Sequence, residues 1–109
     1  MLRSFHYAAF ASVFAASIGV DARDAHGEDA RQRLKAAQVW YLCVAAHFTR
    51  AYLNEAGRAS FNPASAEQLA TLLRLHLLEK AVYELNYELN NRPDWVRIPL
   101  AGISSLLDS

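Results

Sequence analysis

An all-α fold is expected for this chain of 109 residues, with three main helices and a short C-terminal one in a single helical domain or subdomain. Three observations lead there. Apolar residues recur at intervals of three and four along most of the chain. Helix start and stop signals stand between those runs: Gly19, Asp29, Gly57, Ser65 with Gln68, and two late prolines. No stretch alternates apolar and polar residues over a convincing strand length.

The first helix is expected over 2–18, with Leu2, Phe5, Ala9, Val13 and Ala16 as its apolar stripe and Gly19 as its stop. Residues 20–29 carry four acids and one glycine and read as a polar linker. Asp29 is a plausible N-cap for a second helix over about 29–56, whose stripe is Leu34, Ala37, Tyr41, Val44, Phe48 and Tyr52. Gly57 ends it, and 57–64 is a loop. Ser65 and Gln68 form a capping-box signature for a third helix over about 66–90. Pro93 ends that helix and disfavours helical geometry at Arg92. Residues 91–98 are expected to be extended, with Trp95 burying its ring and Arg92 and Arg97 pinning carboxylates or helix carbonyls. Pro99 suits the first turn of a short terminal helix.

Composition narrows the function. A domain this size buries roughly two thirds of the surface its unfolded chain exposes. An apolar fraction of 53% argues against wholesale disorder. Formal net charge is zero, so there is neither a basic stripe for nucleic acid nor an acidic solvating tail. Cys43 is the single cysteine, which excludes an internal disulfide and a cysteine zinc site. The histidines at 6, 26, 47 and 76 fall at no ligand spacing. The first 20 residues share the early arginine, apolar run and small residues of a secretory signal, but His6 and Tyr7 interrupt the run and no clean cleavage site follows. The run from Tyr7 to Val20 is shorter than the ~20 apolar residues a bilayer needs.

The third helix has two faces. Leu78, Val82, Leu85 and Leu89 fall within a narrow arc and read as the core seam. About half a turn away stand His76, Lys80, Tyr83 and Tyr87. Tyrosine offers a broad apolar ring with a hydroxyl at its tip, so two rings at i and i+4 below a lysine can form one wall of a sugar site. The same spacing also suits a helix buried on both faces, and both readings stand on the spacing alone. Glu79 and Glu84 can be salt-bridge partners of Lys80 on a solvated face.

The stretch "LLEKAVYELNYELNNRPDWVRIPLAGI", residues 77–103, resembles the C-terminal end of bacterial maltokinases, including the kinase half of trehalose synthase fusions. "MLRSFHYAA" at the start resembles a segment that follows the catalytic region in the same proteins. The strong match covers roughly the last 40 residues, and the middle helix is similar only in pattern. The resemblance implies a piece of a kinase-like C-lobe related to aminoglycoside phosphotransferases. It implies an internal first helix and no signal peptide. The family moves the γ-phosphoryl group of ATP, with magnesium, to the anomeric hydroxyl of maltose; the maltose 1-phosphate formed feeds α-glucan (glycogen) synthesis. Cytoplasmic residence goes with that activity.

By the same resemblance, Lys80, Tyr83 and Tyr87 occupy the family's Lys-x-x-Tyr-x-x-x-Tyr helix and line the maltose pocket, with Glu84 at its edge. None of them transfers phosphate. Phosphoryl transfer needs a phosphate cradle, a nucleotide-binding lysine, a base and metal ligands. The chain has no Gly-rich phosphate loop, and "HGED" at 26–29 lacks the downstream His and Asn of a kinase catalytic loop. Ala101 stands where the family commonly has arginine. ATP and magnesium therefore belong to the parent kinase, this chain alone is expected to be inactive, and its partners are maltose and the missing N-terminal kinase portion or trehalose synthase half. Two other readings remain open: a small helical interaction module, dimeric or docking a protein through its tyrosine face, and a secreted helical protein.

Overall fold

The computed structural model describes residues 1–18, 27–56 and 59–109, with side chains described as far as Phe14 in the first stretch. It is all-α, as the periodicity indicates. The helices are α1 (Leu2–Ile18), α2 (Glu28–Ala56), α3 (Ala66–Asn91) and α4 (Arg97–Asp108), with a 3-10 turn at Pro93–Trp95. There is no strand among the described residues. The stop at Gly19, most of the 20–29 linker, the stripe residue Ala16 and the stop at Gly57 lie outside the described residues and side chains.

Local signals explain most boundaries. The α2 helix starts one residue ahead of expectation: Ala30 and Arg31 donate to the Gly27 carbonyl, so Asp29 sits in the first turn with Glu28 and not at the cap. Acids in a first turn complement the helix dipole. Beyond α2, the Asn62 side-chain amide donates to the Ala56 carbonyl and satisfies one of the orphan acceptors at that end. Ser65 caps α3, its hydroxyl accepting from the Gln68 amide at 3.1 Å.

The segment 91–98 is not extended. Only Arg92 departs from helical geometry, at φ −141°, and the chain then re-enters a 3-10 turn at Pro93 and α4 at Arg97. The proline ring fixes φ near −65°, which breaks α3 at Arg92 but starts a new helical turn equally well. Trp95 does anchor this corner, half-buried against the core around Phe10 and Ile98.

The α1 helix runs antiparallel to α2 and parallel to α3, judged by its paired residues. Phe5 meets Phe48 and His6 meets Tyr41, whereas Arg3 reaches Glu84 and Tyr7 reaches Glu88. The apolar core is small: Ala9, Phe10, Ala37 and Ile98, flanked by half-buried Tyr7, Val13, Phe14 and Tyr41. A radius of gyration of 15.9 Å exceeds the roughly 13 Å of a compact domain of this length, so much of each long helix stays uncovered.

The buried stripes differ from those expected. On α1, Arg3, His6, Ala9 and Phe10 are the buried positions. On α2, Ala37, Tyr41, Val44 and Phe48 face inward as expected, but Leu34 and Tyr52 stay 37% and 48% exposed. The seam of α3 is corrected most. Val82 and Leu89 are 52% and 57% exposed, and the buried residues are Ala81 and Glu88, one position earlier. One position is 100° of helix rotation. The cause is chemical: Glu84 and Glu88 find cationic and hydroxyl partners inside, so carboxylates occupy part of the packed face.

Candidate functional site

The outward face of α3 carries the residues singled out from the sequence. Tyr83 and Tyr87 are 61% and 48% exposed, and Lys80 is exposed beside them. The Lys80 ammonium lies 4.6 Å from the centre of the Tyr83 ring, a cation–π arrangement. One turn on, the Arg92 guanidinium sits 5.7 Å from the Tyr87 ring centre and 4.6 Å from that of Trp95. Two cations, Lys80 and Arg92, and three rings, Tyr83, Tyr87 and Trp95, thus line one edge. No sequence signal marks Arg92 as a bridge between two rings, because the geometry arises from the sharp corner at Pro93.

Such a row can do two things. Open aromatic faces accept the apolar face of a flat ligand, and the ammonium and phenol groups offer hydrogen bonds around it. It cannot enclose a ligand: both rings stand on the surface, and the trough that Lys80 borders does not reach either tyrosine.

Glu84 is separated from this row. Its Oε2 accepts from Arg3 Nε at 2.9 Å and from Arg3 Nη2 at 2.6 Å, with both side chains largely buried. One turn further, Glu88 is 1% exposed and accepts from the Tyr7 hydroxyl at 2.9 Å and from Arg92 at 2.9 and 2.7 Å. These contacts make two rungs between α1 and α3. They fix the rotation of α3 about its axis, and the azimuth they fix turns Tyr83 and Tyr87 outward. Gly102 on α4 makes room for the upper rung. A Cβ built there would collide with Arg3 Nη1.

Titration follows the same geometry. Burial, then the nearby Arg3 charge, holds His6 down at about 4, and its Nδ1 is buried without a hydrogen-bond partner. Burial pushes the Tyr7 phenol well above its usual range, reinforced by its hydrogen bond to Glu88. Burial also raises Tyr41. The hydrogen bond to Glu88 raises Arg92 further still.

No group of three His, Cys, Asp or Glu side chains that could hold a metal is found among the described residues, and Glu84 and Glu88 are engaged with cations. No helix among the described residues is long and apolar enough to cross a membrane.

No family model matches this chain, and no solved structure matches it significantly.

Proposed function

We propose that this chain is the C-terminal helical portion of a maltokinase, a cytoplasmic ATP-dependent enzyme that converts maltose to maltose 1-phosphate. In this reading Lys80, Tyr83 and Tyr87 contribute one wall of the disaccharide site. ATP, magnesium and the phosphoryl-transfer residues lie in the upstream kinase portion, which also supplies the opposite wall. Glu84 serves the site from behind, by holding α3 through Arg3. The observation that carries the proposal is the uncovered Lys80–Tyr83–Tyr87 face, on the helix whose sequence resembles the family.

The test is kinetic. In the full-length kinase, Tyr83→Ala is expected to raise the KM for maltose much more than the KM for ATP, because it removes binding surface and not phosphate chemistry. Equal rises for the two substrates reject the assignment. Tyr83 is 61% exposed in this chain, and an unchanged Tm of the variant kinase shows that its kinetics report binding.

A specific observation also favours an interaction module. Leu75, Val82 and Leu89, spaced by seven on α3, are 59%, 52% and 57% exposed and form an uncovered apolar line. A concentration-dependent dimer that Val82→Lys abolishes supports that reading; a chain that sediments as a monomer at all concentrations removes self-association.

A further inference from the structure

The two rungs between α1 and α3 end differently. Arg3 and Glu84 close on each other, with side chains only 6% and 12% exposed. The Glu88 side chain is 2% exposed, yet the cation it holds, Arg92, is 47% exposed. The second rung therefore runs from inside the fold to its surface. The Tyr7 hydroxyl donates to Glu88 Oε1 at 2.9 Å, while Arg92 donates from Nη2 to Oε1 at 2.7 Å and from Nε to Oε2 at 2.9 Å. Where this rung surfaces, the guanidinium meets two rings of the outward row, Trp95 at 4.6 Å and Tyr87 at 5.7 Å from their centres.

An exposed arginine ordinarily samples many rotamers, and holding it in one costs entropy. Here a single neighbour holds it three times. Glu88 accepts from the guanidinium at both carboxylate oxygens, and its main-chain carbonyl accepts from the Arg92 amide at 2.8 Å. The Arg92 carbonyl accepts in turn from the Trp95 amide at 2.9 Å, so guanidinium and indole share one corner. A carboxylate as deep as Glu88 is strongly unfavourable when unmatched. Its charge draws Arg92 back along α3, under the rings and away from open water. Tyr7 supplies a further donor to Oε1, and only while α1 is docked. Both donors keep their protons near neutrality: burial, then the bond to Glu88, raises Tyr7, and the same carboxylate raises Arg92.

We propose that Glu88 is a positioning residue for the aromatic row: through Arg92 it sets Tyr87 and Trp95, and through Tyr7 it makes that setting depend on the docking of α1. Glu88 itself touches no ligand, being 1% exposed. Rings held in advance lose less freedom when a ligand packs on them, which strengthens binding without a new contact. That the ligand is a sugar rests on the maltokinase reading; the relay from Tyr7 to Trp95 does not.

The test uses the full chain carrying Trp40→Phe, which leaves Trp95 as the single tryptophan. Acrylamide quenching of Trp95 then reports whether the guanidinium covers the ring. Arg92→Gln, which keeps a donor for Glu88 but offers the rings no guanidinium, sets the uncovered level. Glu88→Gln is expected to raise quenching to that level, and Tyr7→Phe to raise it part of the way. In the Arg92→Gln background Tyr7→Phe is expected to add nothing, because coupled residues are not additive. Glu84→Gln, in the other rung, is expected to lower Tm yet leave Trp95 at its wild-type level. Wild-type quenching in Glu88→Gln overturns the proposal. So does a Tyr7→Phe effect of the same size with and without Arg92, or a response to Glu84→Gln as large as that to Glu88→Gln, which would make both rungs merely structural. If Glu88→Gln fails to fold, Tyr7→Phe with and without Arg92→Gln decides between the same outcomes. In the full-length kinase Arg92→Gln is expected to raise the KM for maltose roughly two- to fivefold, the worth of an exposed cation–π contact, and to leave the KM for ATP unchanged. If Trp95 responds as expected and the maltose KM does not move, the relay stands and the sugar reading of the row falls.

Discussion

The two sides of α1 are held by different physics. Toward α2 it offers rings: Phe5 lies edge-on to Phe48, and His6 lies edge-on to Tyr41 and tilted over Phe10. Toward α3 and α4 it offers polar groups: Arg3 to Glu84, Tyr7 to Glu88, and Arg3 again in the space left by Gly102. The aromatic side is stabilised by area removed from water, which is non-directional and tolerates small shifts. The polar side gains only when its geometry is met, because an unmatched buried charge is strongly unfavourable. The comparison shows why the polar side can set the rotation of α3 while the aromatic side supplies adhesion.

The largest effects should come from breaking either side outright. Phe10→Ala is expected to cost about 3–5 kcal/mol, read from chemical denaturation. Arg3→Met alone should cost about as much, roughly 3–5 kcal/mol, by stranding Glu84. The sides then diverge. Arg3→Met combined with Glu84→Leu should recover most of the loss, because a buried ion pair replaced by apolar residues is often neutral or better. A double variant as unstable as the single one would show that the charge pair is not the source of the loss.

A smaller change tests the polar side without removing a charge. Gly102→Ala puts a Cβ against Arg3 and should cost about 1–3 kcal/mol, the range for overpacking. In the Arg3→Met background that cost should shrink, and an unchanged cost would break the link between Gly102 and Arg3.

The aromatic side has its own sensitivity, to pH. His6 titrates near 4 when folded against 6.5 when unfolded, so the unfolded chain takes up the proton first. Its contribution is complete above about pH 6.5 and is lost as pH falls toward 4. Between about pH 7 and about pH 5 the loss should be about 2 kcal/mol. His6→Phe keeps a ring against Phe10 and Tyr41 and removes the unpartnered nitrogen, so it should flatten that part of the profile. A variant profile parallel to the wild type would assign the acid sensitivity elsewhere.

The smallest stability effect is expected on the outward face. Tyr83→Ala should change stability by less than about 0.5 kcal/mol, as surface substitutions usually do. A larger loss would mean that the tyrosine row is structural.

Positions differ in how far the sequence alone makes them legible. Periodicity carried the helices, Ser65 carried the start of α3 and Pro93 its end, since capping and the proline ring act over a few neighbouring residues. The same local chemistry placed Lys80, Tyr83 and Tyr87 on one helix face. Hydrophobicity misjudged which face of α3 is packed, because it treats Glu84 and Glu88 as solvent residues. Their partners Arg3 and Tyr7 lie 81 residues away in sequence, and nothing local announces them.

The chain's own residues therefore determined that it is helical, where α3 starts and stops, and which tyrosines share a face, for these depend on neighbours within a turn or two. The packing decided that two glutamates are turned inward, that Gly102 houses a guanidinium, and that α2 and α3 leave an open trough ahead of α1. Those outcomes depend on which distant charges and surfaces meet, and that is fixed only when the helices dock.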